Sequence, residues 1–183
     1  MKPITFITGN KHKLKQVNKH LNYPIEHVDI DLAEIQSLDP LKIVEHKAKE
    51  AFLKVQKPVL VEDTSLIFHA LGKLPGPFIK WFLDELGPEG LCTLMQPYTD
   101  KSATAWVLFA YYDGSTLEVF DIQQKGIITD NPRGENGFGW NSIFIPDGET
   151  KTFAEMDEEE QKNTSLRKRA LIKLETYLQQ HGQ

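Results

Sequence analysis

The stretch Val59-Leu60-Val61-Glu62-Asp63-Thr64 constrains this chain more than any other. An apolar, β-branched run climbs out of Pro58 and stops at two adjacent carboxylates. Such a run reads as a buried strand. Two acids at its end stand where a sheet meets a cleft, the usual ligand position in open α/β folds. Carboxylates side by side repel, so the pair needs a cation or a proton between them. A solvated strand end explains the same residues without any ligand.

The flanking sequence supplies partners for that strand. Pro3 to Thr8 reads as a first strand, broken by Gly9-Asn10, and Lys11 to Leu21 carries Leu14, Val17 and Leu21 at helical spacing. The start of that helix gathers unpaired N–H groups and partial positive charge. Thr8, Asn10, Lys11 and Lys13 add donors and cations, so a phosphate would be stable there. An ordinary turn capped by Asn10 is the competing reading. Ile25 to Ile30 reads as a second strand, followed by a polar loop to Asp39-Pro40. Leu41, Val44, Ala48, Phe52 and Val55 form an apolar stripe on a helix from Leu41 to Val55. Lys47 lies off that stripe and reads, by itself, as a solvated lysine.

Beyond the acidic pair, Leu74-Pro75-Gly76-Pro77 is a stiff loop. A short helix from Phe78 ends near Gly87, and Pro88-Glu89 opens another with Leu91, Leu94 and Met95 inward. Ala103 to Tyr112 is an aromatic strand, Asp113-Gly114 a hairpin signal, and Thr116 to Gln123 the return, with Gly126 to Ile128 extending the sheet. Ile143 to Ile145 is one more strand. A last helix starts in the acidic run Asp157 to Glu160 and carries Leu166, Ala170, Leu174 and Tyr177 on one side. Strands alternating with helices give an α/β fold.

The 183 residues suit a single domain, residues 1–183, with two lobes. A net charge of −5 argues against a general nucleic-acid binder, which needs a basic face. It leaves room for a small phosphorylated ligand met by a few lysines. The one cysteine, Cys92, excludes an internal disulfide. No apolar run approaches membrane-spanning length and the N-terminus lacks a leader-like core, so the expectation is a cytoplasmic protein without membrane contact.

Six pieces occur in one order: Thr8-Gly9-Asn10 with Lys13; Val61 to Thr64; Leu74 to Phe82; Phe138-Gly139-Trp140; Thr152 to Met156; and Lys162-Asn163 with Ser165 and Arg167. Each is short, but the set resembles the inosine triphosphate pyrophosphatases, also called the Ham1 family, over nearly the whole chain. That resemblance implies an elongated α/β fold with a long mixed sheet and a homodimer. It also implies Mg²⁺-dependent hydrolysis of ITP, dITP and XTP to the monophosphate and pyrophosphate, with Mn²⁺ as a substitute metal.

Residue by residue, the resemblance places Glu34, Glu62 and Asp63 around the metal and makes Asp63 the base that takes a proton from the attacking water. An aspartate beside a cation is expected to have a low pKa. Thr8, Gly9, Asn10, Lys11, His12 and Lys13 form the phosphate turn, joined by Lys47, Thr64 and Lys80. Phe138, Gly139, Trp140 and Asn141 line the base pocket, where an aromatic face can stack a purine; a small satellite core is the competing reading. Lys162, Leu166 and Arg167 reach the base, and a cation there favours a 6-keto purine over adenine.

Two positions depart from the family pattern. Asn141-Ser142 stands where aspartate and proline are usual, and Leu166 where histidine is usual. Leucine offers no hydrogen bond, and asparagine both donates and accepts. The alternatives are therefore the same chemistry with altered or relaxed base preference, or a catalytically weak nucleotide-binding sensor.

Overall fold

A computed structural model describes residues 3–181 of the chain. Short apolar runs become strands and the amphipathic runs between them become helices. In chain order these are β1 (Ile4–Ile7), α1 (Lys11–His20), β2 (Ile25–Val28), α2 (Pro40–Val55), β3 (Val59–Phe68), β4 (Pro75–Gly76) and α3 (Ile79–Met95). There follow β5 (Ser102–Tyr112), β6 (Leu117–Ile128), β7 (Phe144–Pro146), α4 (Glu158–Thr164) and α5 (Leu166–His181). The strands lie in the order β2-β1-β3-β5-β6-β7, with β4 beside β3. The sheet is mixed: β1 runs parallel to β2 and β3, whereas β3 and β4, and β6 and β7, are antiparallel. This is an α/β fold, as the alternating pattern predicts.

The chain divides into two compact units. The first comprises Met1–Asp63, Val107–Ile122 and Leu166–Gln183. Its core is built on Phe6, Val17, Leu60, Phe109, Leu171 and Leu174, all buried, and α1 packs on α5. The second comprises Thr64–Trp106 and Gln123–Ser165. Within it, β4 pairs with the far half of β3 through Leu66 and Ile67, and a 3-10 turn at Gly139–Ser142 packs on α3.

Four local expectations are corrected. The acidic pair does not end its strand. β3 continues through Thr64-Ser65-Leu66-Ile67-Phe68, a run as apolar and β-prone as the one before it, so Glu62 and Asp63 lie mid-strand and buried. The buried face of α2 is Pro40, Ile43, Val44, Ala48 and Ala51, rotated from the stripe read off the sequence. Leu41 is exposed, while Phe52 tucks against the β5–β6 hairpin, 5.2 Å from the Tyr112 ring. The Pro75-Gly76 pair, read as loop, forms the short strand β4. The last helix is broken at Ser165 into α4 and α5. α4 is closed at its start by a capping box in which Asp157 and Glu160 bond each other's backbone N–H.

α3 bends where the sequence places a break, at Gly87, whose φ of 65° and ψ of 177° lie outside the helical region. Among the described residues no helix is long and apolar enough to cross a membrane.

Candidate active site

In the first unit β3 sets the site, because it carries two neighbouring acids into the interior. Glu62 has a side chain only 1% exposed. A buried carboxylate is tolerated when cations and donors compensate the lost hydration. Here they come from two helices. Arg167, in the first turn of α5, donates from Nε to Glu62 Oε1 at 2.9 Å. Lys13, in the first turn of α1, holds Nζ 3.6 Å from the same oxygen. Burial pushes the Lys13 ammonium below its ordinary pKa, and Arg167 and Lys47 add to that, while Glu62 and Asp63 oppose it.

Asp63 faces a third cation. Lys47 Nζ lies 3.5 Å from Asp63 Oδ1 and 2.8 Å from Glu34 Oε1, so one ammonium joins the strand acid to the loop acid. Desolvation lowers the Lys47 pKa, but Asp63 and Glu34 together outweigh it and hold the ammonium above its ordinary value. Asp63 itself departs from expectation. Burial raises its pKa, and Lys47 and Lys13, which pull it down, do not cancel that effect. The other oxygen, Oδ2, is buried with no hydrogen-bond partner among the described residues.

The turn after β1 is braced from both sides. Asn10 caps α1, its Oδ1 accepting from the N–H groups of His12 at 2.9 Å and Lys13 at 3.1 Å. Asn10 N–H in turn donates to Thr8 Oγ1 at 3.1 Å. Two residues unmarked in the sequence reading complete the brace. His27 Nε2 donates to the Thr8 carbonyl at 2.7 Å. The Asp29 carboxylate packs so closely on Gly9 that a Cβ there would lie 2.9 Å from Asp29 Oδ1. Their signal was the period-two placement of His27 and Asp29 where β2 ends beside β1. Lys11 and His12 are exposed on the first turn of α1, which contains no acid.

The remaining candidates behave differently. Leu166 is buried and lies on the inner stripe of α5 with Ala170, Leu171, Leu174 and Leu178, so it is a core residue of the first unit. In the second unit, Trp140 is also core. Its ring meets Phe144 edge-on at 5.6 Å and Phe153 at 6.1 Å, which is the satellite-core arrangement rather than an open stacking face. Gly139 is exposed and Phe138 half-buried beside it. Asn141 packs its amide against Gly137, where φ is +87° and any Cβ would strike that side chain. Lys80 is exposed with Nζ 5.1 Å from the centroid of the Trp81 ring. Lys162 is exposed on α4, and Thr64 is half-buried on β3.

The expected three-carboxylate metal shell is not assembled. Among the described residues no three His, Cys, Asp or Glu side chains stand close enough to hold an ion. Each acid has been drawn to a cation instead: Glu62 to Arg167 and Lys13, Asp63 and Glu34 to Lys47. The donor chemistry at Asp63 nevertheless fits a hard divalent cation, since Oδ2 is a buried anionic oxygen with nothing bonded to it. Mg²⁺ is commonly held by one or two carboxylates together with substrate phosphates, so a full protein cage is not required.

The chain resembles known proteins along nearly its whole length. Residues 4–177 match the Ham1 family. The chain is 47% identical to an inosine triphosphate pyrophosphatase of Yarrowia lipolytica over 182 residues, covering 96% of this chain and 95% of that one. It is 43% identical to an inosine triphosphate pyrophosphatase of Schizosaccharomyces pombe, covering 98% and 96%. The fold superposes on the Staphylococcus aureus Ham1 protein with a TM-score of 0.86 at 25% identity, over 98% of this chain and 99% of the other. A HAM1 protein from Coxiella burnetii gives 0.87 at 25% identity, over 98% and 100%. Sequence likeness along nearly the full length and the shared fold agree, and the chain belongs to the Ham1 family.

Proposed function

We propose that this chain is a nucleoside triphosphate pyrophosphatase that cleaves deaminated purine nucleotides (ITP, dITP and XTP) to the monophosphate and pyrophosphate with Mg²⁺. The observation that carries the reading is the buried Glu62–Asp63 pair set among Lys13, Lys47 and Arg167. Full-length relatives named inosine triphosphate pyrophosphatases support the substrate class.

Phosphoryl attack is largely a matter of position and charge neutralisation. Lys13 and Lys47 bring ammonium groups that meet phosphate oxygens as point charges. Lys47 can do so by exchanging its contact with the half-exposed Glu34 for one to the substrate. Asp63 takes the proton of the attacking water as its oxygen bonds the α-phosphorus, and the bond to the bridging oxygen breaks to release pyrophosphate. Burial raises the Asp63 pKa, and a cation held at Oδ2 would oppose that and keep the carboxylate ionised, as a base must be. Asp63 through Oδ2, with Glu34 across Lys47, would hold the Mg²⁺. Bound there, Mg²⁺ supplies charge neutralisation on the phosphates.

A panel of nucleoside triphosphates assayed for pyrophosphate release tests the reading. Turnover of ITP and XTP well above ATP and GTP is the expected result, and no turnover of any triphosphate overturns it. The burial of Leu166 favours a second reading, relaxed base choice, because a core leucine gives the base no polar contact. Comparable rates across the purines in the same panel would select it.

A further inference from the structure

Glu34 reaches the site from segment 29–39, which is neither helix nor strand, and its side chain is more than half exposed. An acid on such a segment is placed by its backbone more than by packing, and an unbraced loop samples many positions. Yet Glu34 Oε1 accepts from Lys47 Nζ at 2.8 Å. The segment is tied at both ends. At the far end Asp39 caps α2, accepting from Leu41 N–H at 3.1 Å, and its own N–H donates to Ser37 Oγ at 3.0 Å. At the near end the tie comes from the last turn of α2. Lys54 Nζ donates to the Asp31 carbonyl at 2.6 Å and stands 3.0 Å from Glu50 Oε1, one turn back on the same helix.

A Glu–Lys pair one turn apart on a helix surface contributes little by itself. This pair differs because both members also face the loop. Lys54 bonds the Asp31 carbonyl. The backbone N–H of Ala33, and after it Lys54, hold the Glu50 carboxyl below the ordinary carboxylate range. The backbone is thus gripped immediately before Glu34.

We infer that Lys54, braced by Glu50, is a positioning residue that fixes the backbone at 31–33 on α2 and so holds Glu34 at Lys47 before any ligand arrives. Fixing a group beforehand removes an ordering cost that binding would otherwise carry. The inference rests on the proposed role of Glu34 at the site, but its first test needs neither nucleotide nor metal.

The experiment is amide hydrogen exchange on the full chain, with EDTA and no nucleotide, for the wild type, Lys54→Met and Glu50→Ala. Exchange across 31–36 should quicken by roughly tenfold in both variants, while the amides of β3 keep their protection. Unchanged exchange over 31–36 in either variant overturns the inference. So does an equal rise in β3, which would mark the pair as general stabilisers. Lys54 is nearly half exposed, so Lys54→Met should fold, and melting temperatures check it. Pyrophosphate release from ITP then asks whether Lys54 acts through Glu34. Lys54→Met should lower kcat/KM by about fivefold, and that loss should vanish in the Glu34→Gln background, where no carboxylate is left to place. No loss in Lys54→Met, or the same loss in both backgrounds, overturns the positioning role. A wild type that hydrolyses no triphosphate would refute the proposed activity, and hydrogen exchange alone would then decide whether the clamp stands.

Discussion

The Glu62–Asp63 cluster of the first unit and the Trp140 cluster of the second are both buried, yet they are built on opposite terms. Glu62 and Asp63 are met by the charged groups of Lys13, Arg167 and Lys47, and each buried charge is tolerable because another compensates it. Around Trp140 the contacts are rings, with Phe144 and Phe153 stacked at 5.7 Å and the indole set against both. Dispersion among rings needs no partner of opposite sign. The two regions should therefore fail differently. Loss of one charge should disable its neighbours while the fold survives, whereas loss of one ring should weaken the fold itself.

The largest effect is expected at Asp63. Asp63→Asn keeps the shape and removes the base, and should lower kcat by about 10³-fold. Circular dichroism and melting should show an intact fold, because the buried site loses a charge it had to compensate. Retained turnover in Asp63→Asn would remove this residue from the chemistry. Next comes Trp140→Ala, which should cost about 3–5 kcal/mol of stability in urea unfolding, the usual range for a buried aromatic. A drop in nucleotide affinity without a drop in stability would return Trp140 to a stacking role and break the contrast. Third, Lys47→Met strips the ammonium shared by Asp63 and Glu34. It should lower kcat/KM by about 10–100-fold, equivalent to roughly 1.4–2.7 kcal/mol. Glu34, 55% exposed, should matter little to stability: Glu34→Gln is expected to shift unfolding by under ~1 kcal/mol.

How far each region was legible follows from the same contrast. The framework of strands and helices came from period and turn chemistry, which are local. The break at Gly87 and the Asp113-Gly114 hairpin were therefore visible, and β1, α1, β5 and β6 lie within a few residues of their expected bounds. The extent of β3 was not, because the acids interrupt an apolar pattern whose continuation only the tertiary fold makes buried. The importance of Lys13, Lys47 and Arg167 came from a family resemblance, since a lysine on a helix carries no local mark of what it faces. Their pairing with Glu62, Asp63 and Glu34 joins residues up to 105 apart in sequence. Trp140 shows the reverse: an aromatic in a glycine-rich loop suggests stacking, and only the positions of Phe144 and Phe153 reveal that the ring is already covered. His27 and Asp29 sat in plain view but needed the β1–β2 pairing to acquire a role.

An effect of similar size probes the boundary between the two terms, at an aromatic that can acquire charge. Tyr111 lies in the first unit beside Tyr177, ring centroids 6.0 Å apart, and Tyr177 also packs on Phe120 at 5.5 Å. Burial pushes the Tyr111 hydroxyl up to about 12, with Asp113 adding to it. An acid whose pKa is raised by folding contributes nothing adverse while it stays neutral. Below its unfolded value of about 10 the stability is fully present. As pH climbs from there to about 12 the unfolded chain loses its proton first, so stability falls across that window. The ring is only half-buried, so water screens much of the penalty and the loss should be about 1 kcal/mol, below the limit that the full shift would set. Urea midpoints at pH 9 and pH 11.5, compared between wild type and Tyr111→Phe, measure it, the two pH values being chosen around the window that linkage gives. The wild type should lose more than Tyr111→Phe over that interval. Parallel curves would mean that the ring packing accepts a phenolate, and that intolerance of unpaired charge is confined to the neighbourhood of Glu62.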